Sequence, residues 1–236
     1  MKILAIESSA GPASCAVTEA GEVLASAVTN TRLTHSQTLL PMVNAMLHNA
    51  GLSLKETDLL AVSAGPGSFT GLRIGVAAVK GLAFPENKPC AAVSTLAAMA
   101  RNLEGIPFDG LICAAMDARC QQVYTALFDC VNGRINRRTP DEAISLEDLK
   151  NRLISEKKSI IMVGDGAKLC YNTLKDSVAG LCIAPPHLRY QQAAGVAAEA
   201  ADLFREGRTT EAALLQPVYL RLPQAERELR RRQSVG

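Results

Sequence analysis

The sequence predicts an α/β protein in which one βββαβαβα unit is written twice, giving two lobes that face each other across a cleft. Three observations carry this expectation. Short apolar runs that end in an acid, KILAIE at 2–7 and LICAAMD at 111–117, place Glu7 and Asp117 110 residues apart. Each run is followed by alternating segments around a glycine turn, Gly21 in the first copy and Gly133 in the second. Each triplet then gives way to a helix, a strand and a glycine loop. In such a layout the two strand-end acids point into the cleft.

In the first copy, residues 13–20 and 22–29 alternate weakly on either side of Gly21, so three antiparallel strands joined by tight turns open the chain. A helix over about 34–50 follows. Thr34 is its N-cap and Gly51 its stop, and Leu39, Leu40, Met42, Val43, Met46 and Leu47 recur at helical spacing. Then come a strand at 59–64, the loop Gly65-Pro66-Gly67-Ser68, a helix at about 70–84, a strand at 89–93 and a helix capped by Ser94. The second copy runs from Leu111 through QQVYTALFDC, the Asn132-Gly133 turn and RINRRT as its third strand. It continues with a helix at 145–156, a strand at 159–163, the loop Gly164-Asp165-Gly166, a helix at 167–175, a strand at 181–184 and an alanine-rich helix at 191–206. The lobes are therefore 1–106 and 107–220. Residues 221–236, with five arginines against two glutamates, read as a basic, partly ordered tail. This is the layout of the actin, hexokinase and chaperone ATPase superfamily, a ribonuclease H-like fold.

Composition narrows the function classes. In 236 residues, 25 basic side chains against 23 acidic ones leave +2, which demands no polyanionic partner. The most apolar stretch, 69–84, is broken by Arg73 and Lys80, and the apolar start is too short for a signal peptide, so the expectation is a cytoplasmic protein without a membrane span. Seven scattered cysteines without a Cys-x-x-Cys read as small core residues in a reducing compartment. His35, His48 and His187 lie too far apart for a paired-histidine zinc helix. With 36 alanines and nine aromatics, the core must gain its burial from close helix packing.

The sharpest local feature is AGPGSFTGLRIG at 64–75, a strand end, a glycine turn and a helix start. It is neither a P-loop nor a dinucleotide fingerprint, and it suits either a packing turn or an anion at a helix N-terminus. On a helical wheel, Arg73 and Lys80 form one stripe and every other face of 69–84 is apolar or small. Such a helix is covered on two sides, either within its own lobe or at a subunit interface. Glu7 and Asp117 are candidates for holding Mg²⁺ through water in a kinase or ATPase, or else strand-end acids that cap a turn. Neither first turn carries a glycine before Gly11, which argues against ATP hydrolysis. Ser8 and Ser9 have no histidine base nearby in sequence, and Arg230, Arg231 and Arg232 suit either phosphate contacts or a solvated tail.

The segments MKILAIESS, HSQTLLPMV, VSAGPGSFTGLRIGVAAVKGLAF and MDARCQQVYTALF resemble the bacterial TsaB (YeaZ) family over almost the whole chain. The resemblance implies a catalytically silent paralogue of TsaD. It would pair with TsaD and, with the ATPase TsaE, support threonylcarbamoyl transfer to the adenosine beside the anticodon of certain tRNAs, meeting the tRNA only through the complex. No cofactor or metal is implied, because Thr95 and Met99 stand where TsaD-like proteins carry two metal-binding histidines. The family's dimer surface, carried over by position, falls on Leu39, Val43, Met46, Ile74, Ala77, Ala78 and Gly81, packing as a four-helix bundle with a partner or, in the isolated chain, with a second copy. Residual nucleotide or anion contacts would fall on Glu7, Ser8 and Asp117. Many family members have aspartate and threonine where this chain has Glu7 and Ser8, which weakens a nucleotide role. The rival readings are a small-molecule kinase or ATPase using Glu7 and Asp117, and direct tRNA binding through the arginine tail.

Overall fold

The computed structural model describes residues 1–31 and 33–221. The first sheet holds β1 (Lys2–Glu7), β2 (Ala13–Glu19), β3 (Glu22–Thr29), β4 (Leu59–Gly65) and β5 (Cys90–Ser94) in the order 3-2-1-4-5. The second repeats it with β6 (Gly110–Asp117), β7 (Gln122–Val131), β8 (Arg134–Arg137), β10 (Ile160–Val163) and β11 (Leu181–Ile183), ordered 8-7-6-10-11. The first hairpins pair antiparallel and the crossovers pair parallel in both halves. This is the duplicated βββαβαβα fold that the sequence predicts. One detail differs from the expectation. The third strand of the second unit is split, β8 pairing with the far end of β7 and a further strand, β9 (Glu142–Ser145), with its near end.

The helices are α1 (His35–Asn49), α2 (Phe69–Ala83), α3 (Thr95–Arg101), α4 (Leu146–Leu153), α5 (Ala167–Leu174), a short α6 (Pro186–Arg189) and α7 (Ala193–Arg205). Ser68, Ser94 and Ser145 each accept a bond from the amide three residues on, the N-cap geometry that starts α2, α3 and α4. Thr34 stands at the N-cap of α1 without such a bond. The α6 turn was not expected.

The break near residue 106 separates the strands but not the helices. α3 and the turn after it, from the first half, bury Leu96, Met99 and Leu103 against Ile112, Ala114 and Met116 of β6. α7, from the second half, buries Val196, Ala197 and Ala200 against Ile3, Ala5, Leu59 and Ala61. The two exchanged helices meet closely, because a Cβ at Gly195 would lie 2.7 Å from the Asn102 side-chain oxygen and overlap the Ala98 carbonyl oxygen. Arg101 ties them further with bonds to Glu199 at 2.9 Å and to Asp202, both on α7. Five cysteines are buried as expected, while Cys120 and Cys182 are exposed.

Among the described residues, no helix is long and apolar enough to cross a membrane. Of the basic segment 221–236, Arg221 is described and the remainder, Arg230 to Arg232 included, lies outside the described residues.

Candidate partner helix and interlobe cleft

The cleft between the lobes has a volume of about 650 Å³ and is lined by Ser9, Thr70, Asp117, Tyr124, Asp165 and Tyr219, among others. Its walls are the β1–β2 turn, the start of α2, the β6–β7 turn, the Gly164–Gly166 loop and residues 218–221. Of the two acids the duplication singled out, Asp117 opens onto this space. Glu7 does not line it. Its carboxyl is sealed beneath the β1–β2 turn with no solvent exposure, receiving the Ser63 hydroxyl on one oxygen and the Ser9 amide at 2.5 Å on the other. Ser8 is equally buried, its hydroxyl donating to the Gly71 carbonyl at 2.9 Å. Ligand contact by Glu7 or Ser8 is therefore corrected: α2 seats on the turn and covers Ser8, while Ser63 of β4 and the Ser9 turn close over Glu7.

The carboxylate that shares the cleft with Asp117 is Asp165. The residue lay in plain view in the Gly164-Asp165-Gly166 loop, and its position after β10 is the usable signal, because a strand end in this fold faces the cleft. Surrounding protein pushes its carboxyl above the usual aspartate range although cleft water reaches it; the Gln191 amide opposes the push and the Asp117 charge adds to it. Burial likewise raises Glu7, against the bonds from Ser63 and Ser9 and with the Asp165 charge adding a little.

Phosphate capture here would need free amides. Several of the cleft amides are occupied by the chain itself. Ser9 N–H goes to Glu7, Ser68 N–H to the Ser9 carbonyl at 2.7 Å, and Gly71 N–H to the Ser68 hydroxyl. In the second lobe, Arg119 N–H goes to Asp117 at 2.7 Å, Ala118 N–H to the Gln122 carbonyl and Gly166 N–H to the Ala115 carbonyl. A Cβ at Gly67 would stand 2.5 Å from the Ser9 carbonyl oxygen, so the glycine turn serves close packing. These six amides are not available to the phosphates of a nucleotide. Among the described residues no cluster of three His, Cys, Asp or Glu side chains could hold a metal ion, and Thr95 and Met99 are fully buried.

The proposed partner surface divides in two. Leu39, Val43 and Met46 point into the first-lobe core with Leu4, Ile6 and Val17, at most 4% exposed. That corrects their expected place at an interface: they are the sheet-facing side of α1, and its outward side carries Leu40, Asn44 and His48 instead. On α2, Leu72, Val76 and Val79 face inward, Ile74 and Ala78 are half-buried, and Ala77 and Gly81 are exposed. A Cβ at Gly81 would meet nothing within 4 Å, and Phe84, at the helix end, is 75% exposed. The charged stripe is not free: the Lys80 ammonium donates to the Ala213 and Leu215 carbonyls, and Arg73 lies over Phe69 and donates to the Tyr219 hydroxyl at 3.0 Å.

A family model described as TsaD, tRNA N6-adenosine threonylcarbamoyltransferase, matches residues 22–229. The tRNA threonylcarbamoyladenosine biosynthesis protein TsaB of Bacillus subtilis is 32% identical over 96% of both chains. The chain belongs to the TsaB family. The TsaB of Escherichia coli is 33% identical over 94% of this chain and 95% of its own. The solved structure of YeaZ from Pseudomonas aeruginosa superposes with a TM-score of 0.79 at 28% identity, covering 93% of this chain and 99% of that one.

Proposed function

We propose that this TsaB-family chain takes part in tRNA threonylcarbamoyladenosine biosynthesis as a non-catalytic scaffold, pairing with a TsaD-family transferase and recruiting TsaE, with tRNA met only through the assembly. The carrying observation is the outward side of α2. Ala77 and Gly81 are small, exposed and one helical turn apart, Phe84 stands out beside them, and the helix's two charges are held by the chain's own carbonyls and Tyr219. Small residues let a partner helix approach closely, and an uncharged surface costs little to desolvate. Ile74 and Ala78 form the half-buried margin of this face. In the isolated chain the same face serves a second copy.

Gly81→Arg tests this reading. Because nothing occupies the space beside Gly81, the variant folds normally, and it loses TsaD binding in a pull-down of the purified proteins. Retained binding refutes the reading. The kinase alternative is disfavoured by the burial of Glu7 and predicts heat on titrating ATP and Mg²⁺ into the isolated chain, where we expect none.

A further inference from the structure

The chain after α7 belongs to neither lobe alone. Beyond Arg205 it returns to the first lobe, pairs Thr210 with Cys90, and buries Ala212 and Leu215 in the first-lobe core beneath the Lys80 ammonium. Val218 N–H then donates to the Ala64 carbonyl at 2.7 Å. Gly65 has no side chain where the Val218 carbonyl passes; a Cβ there would overlap that oxygen. The Tyr219 ring lies 4.8 Å from that of Phe69, its hydroxyl held by Arg73. Two residues later the Arg221 guanidinium donates to the Ala118 carbonyl, in the β6–β7 turn of the other lobe. Residues 218–221 thus cross the cleft mouth, fixed to the first lobe by backbone and ring and to the second by one guanidinium.

The receiving turn is unusual. Arg119, Cys120 and Gln121 all have left-handed backbone, with φ of 61°, 52° and 56°, a conformation that non-glycine residues adopt at a cost. Bonds from the turn to Asp117, Gln122 and Leu146 hold it, and Arg221 adds one from outside the lobe.

We infer that residues 218–221 are an interlobe latch. Tyr219 anchors it on the α2 side, Arg221 closes it on the Ala118 carbonyl, and together they fix the angle between the lobes and hold the left-handed turn. The latch does not depend on the partner reading above.

Hydrogen exchange on the full-length protein tests it. Arg221→Ala removes the second-lobe anchor, and amides in segments 8–11 and 118–122 should then exchange about fivefold faster, the factor lost with one hydrogen bond of ordinary net strength. The core strands β4 and β6 should keep their wild-type rates. Arg221→Lys, which supplies one donor to the same carbonyl, should restore most of the protection. Tyr219→Ala, which releases the other anchor, should loosen the same two segments. Wild-type exchange there in Arg221→Ala overturns the latch, and so does a lysine variant that exchanges as fast as the alanine one.

Discussion

The glycines of α2 offer a test in which the same substitution should act with opposite sign at two positions of one helix. At Gly81 a Cβ meets nothing within 4 Å, so Gly81→Ala gains only helix propensity, about 0.5–1 kcal/mol near a helix end. At Gly71 the Cβ would overlap the Ser8 carbonyl oxygen and stand 3.3 Å from its carbon. That neighbour is backbone, fixed by β1 on one side and by the Ser68-to-Ser9 bond on the other, so it has little room to move. Overpacking of this kind costs about 1–3 kcal/mol, and a rigid obstacle sets the upper end, which outweighs the propensity gain. The two variants should therefore differ by about 3 kcal/mol, equivalent to a Tm difference on the order of 6–12 °C in a chain of this size. Urea titration followed by circular dichroism measures the gap. If Gly71→Ala proves as stable as Gly81→Ala, α2 does not seat on the β1–β2 turn as described, and the case against phosphate binding in the cleft falls with it.

Glu7→Gln keeps the bond from the Ser9 amide, reverses the Ser63 bond so that the glutamine amide donates to the hydroxyl oxygen, and removes a carboxyl whose native pKa is raised, chiefly by burial. The native state binds that proton more tightly than the unfolded chain, so the wild type loses stability as pH rises from the ordinary glutamate range through the raised native value. The variant should be the more stable at neutral pH and should lack that decline; parallel pH–stability curves for the two proteins would contradict this. Arg101→Met should cost on the order of 2 kcal/mol, because it leaves Glu199 and Asp202 without their half-buried partner, and a melting point within error of wild type would be the wrong outcome. Phe84→Ala should change stability by less than about 0.5 kcal/mol yet weaken TsaD binding in calorimetry, since the ring is exposed in the free chain. A native thiol assay should find two accessible cysteines, Cys120 and Cys182, while Cys15, Cys90 and Cys113, pushed by burial up to about 11, stay silent until unfolding.

The duplication was legible because it lives in local patterns: a buried run ending in an acid, a glycine turn, and a helix, strand and glycine loop after each triplet. Its exceptions were not local. Nothing in RINRRT shows that the third strand of the second unit ends early and hands its place to Glu142–Ser145, because that exchange is decided by which residues reach the edge of β7. The wheel of α2 showed a helix with one charged stripe and otherwise apolar or small faces, but it could not say that residues 213–219 lie along that stripe. For α1 the apolar count misled. Leu39, Val43 and Met46 share one face, and a single face of that width is what the first sheet consumes. Glu7 was found by pattern and misplaced by analogy, since repetition locates a strand end without revealing what packs on top of it.

One set of contacts both closes the first-lobe side of the cleft and positions the outer face of α2. The Ser68 amide on the Ser9 carbonyl, the Ser8 hydroxyl on the Gly71 carbonyl, and the bare Gly67, Gly71 and Gly75 bring the helix against the β1–β2 turn. A phosphate placed there would need those same amides and that same space, so the helix would have to lift. Lifting it would move Ala77 and Gly81 with it, because a helix shifts as a rigid element. In this chain a firm docking face on α2 and a phosphate grip at the first turn are thus alternatives drawn from one set of hydrogen bonds. A substitution that unseated the helix, such as Ser68→Pro, which deletes both the amide that holds Ser9 and the hydroxyl that caps Gly71, should loosen partner binding at the opposite side of α2 without touching a single residue of that surface.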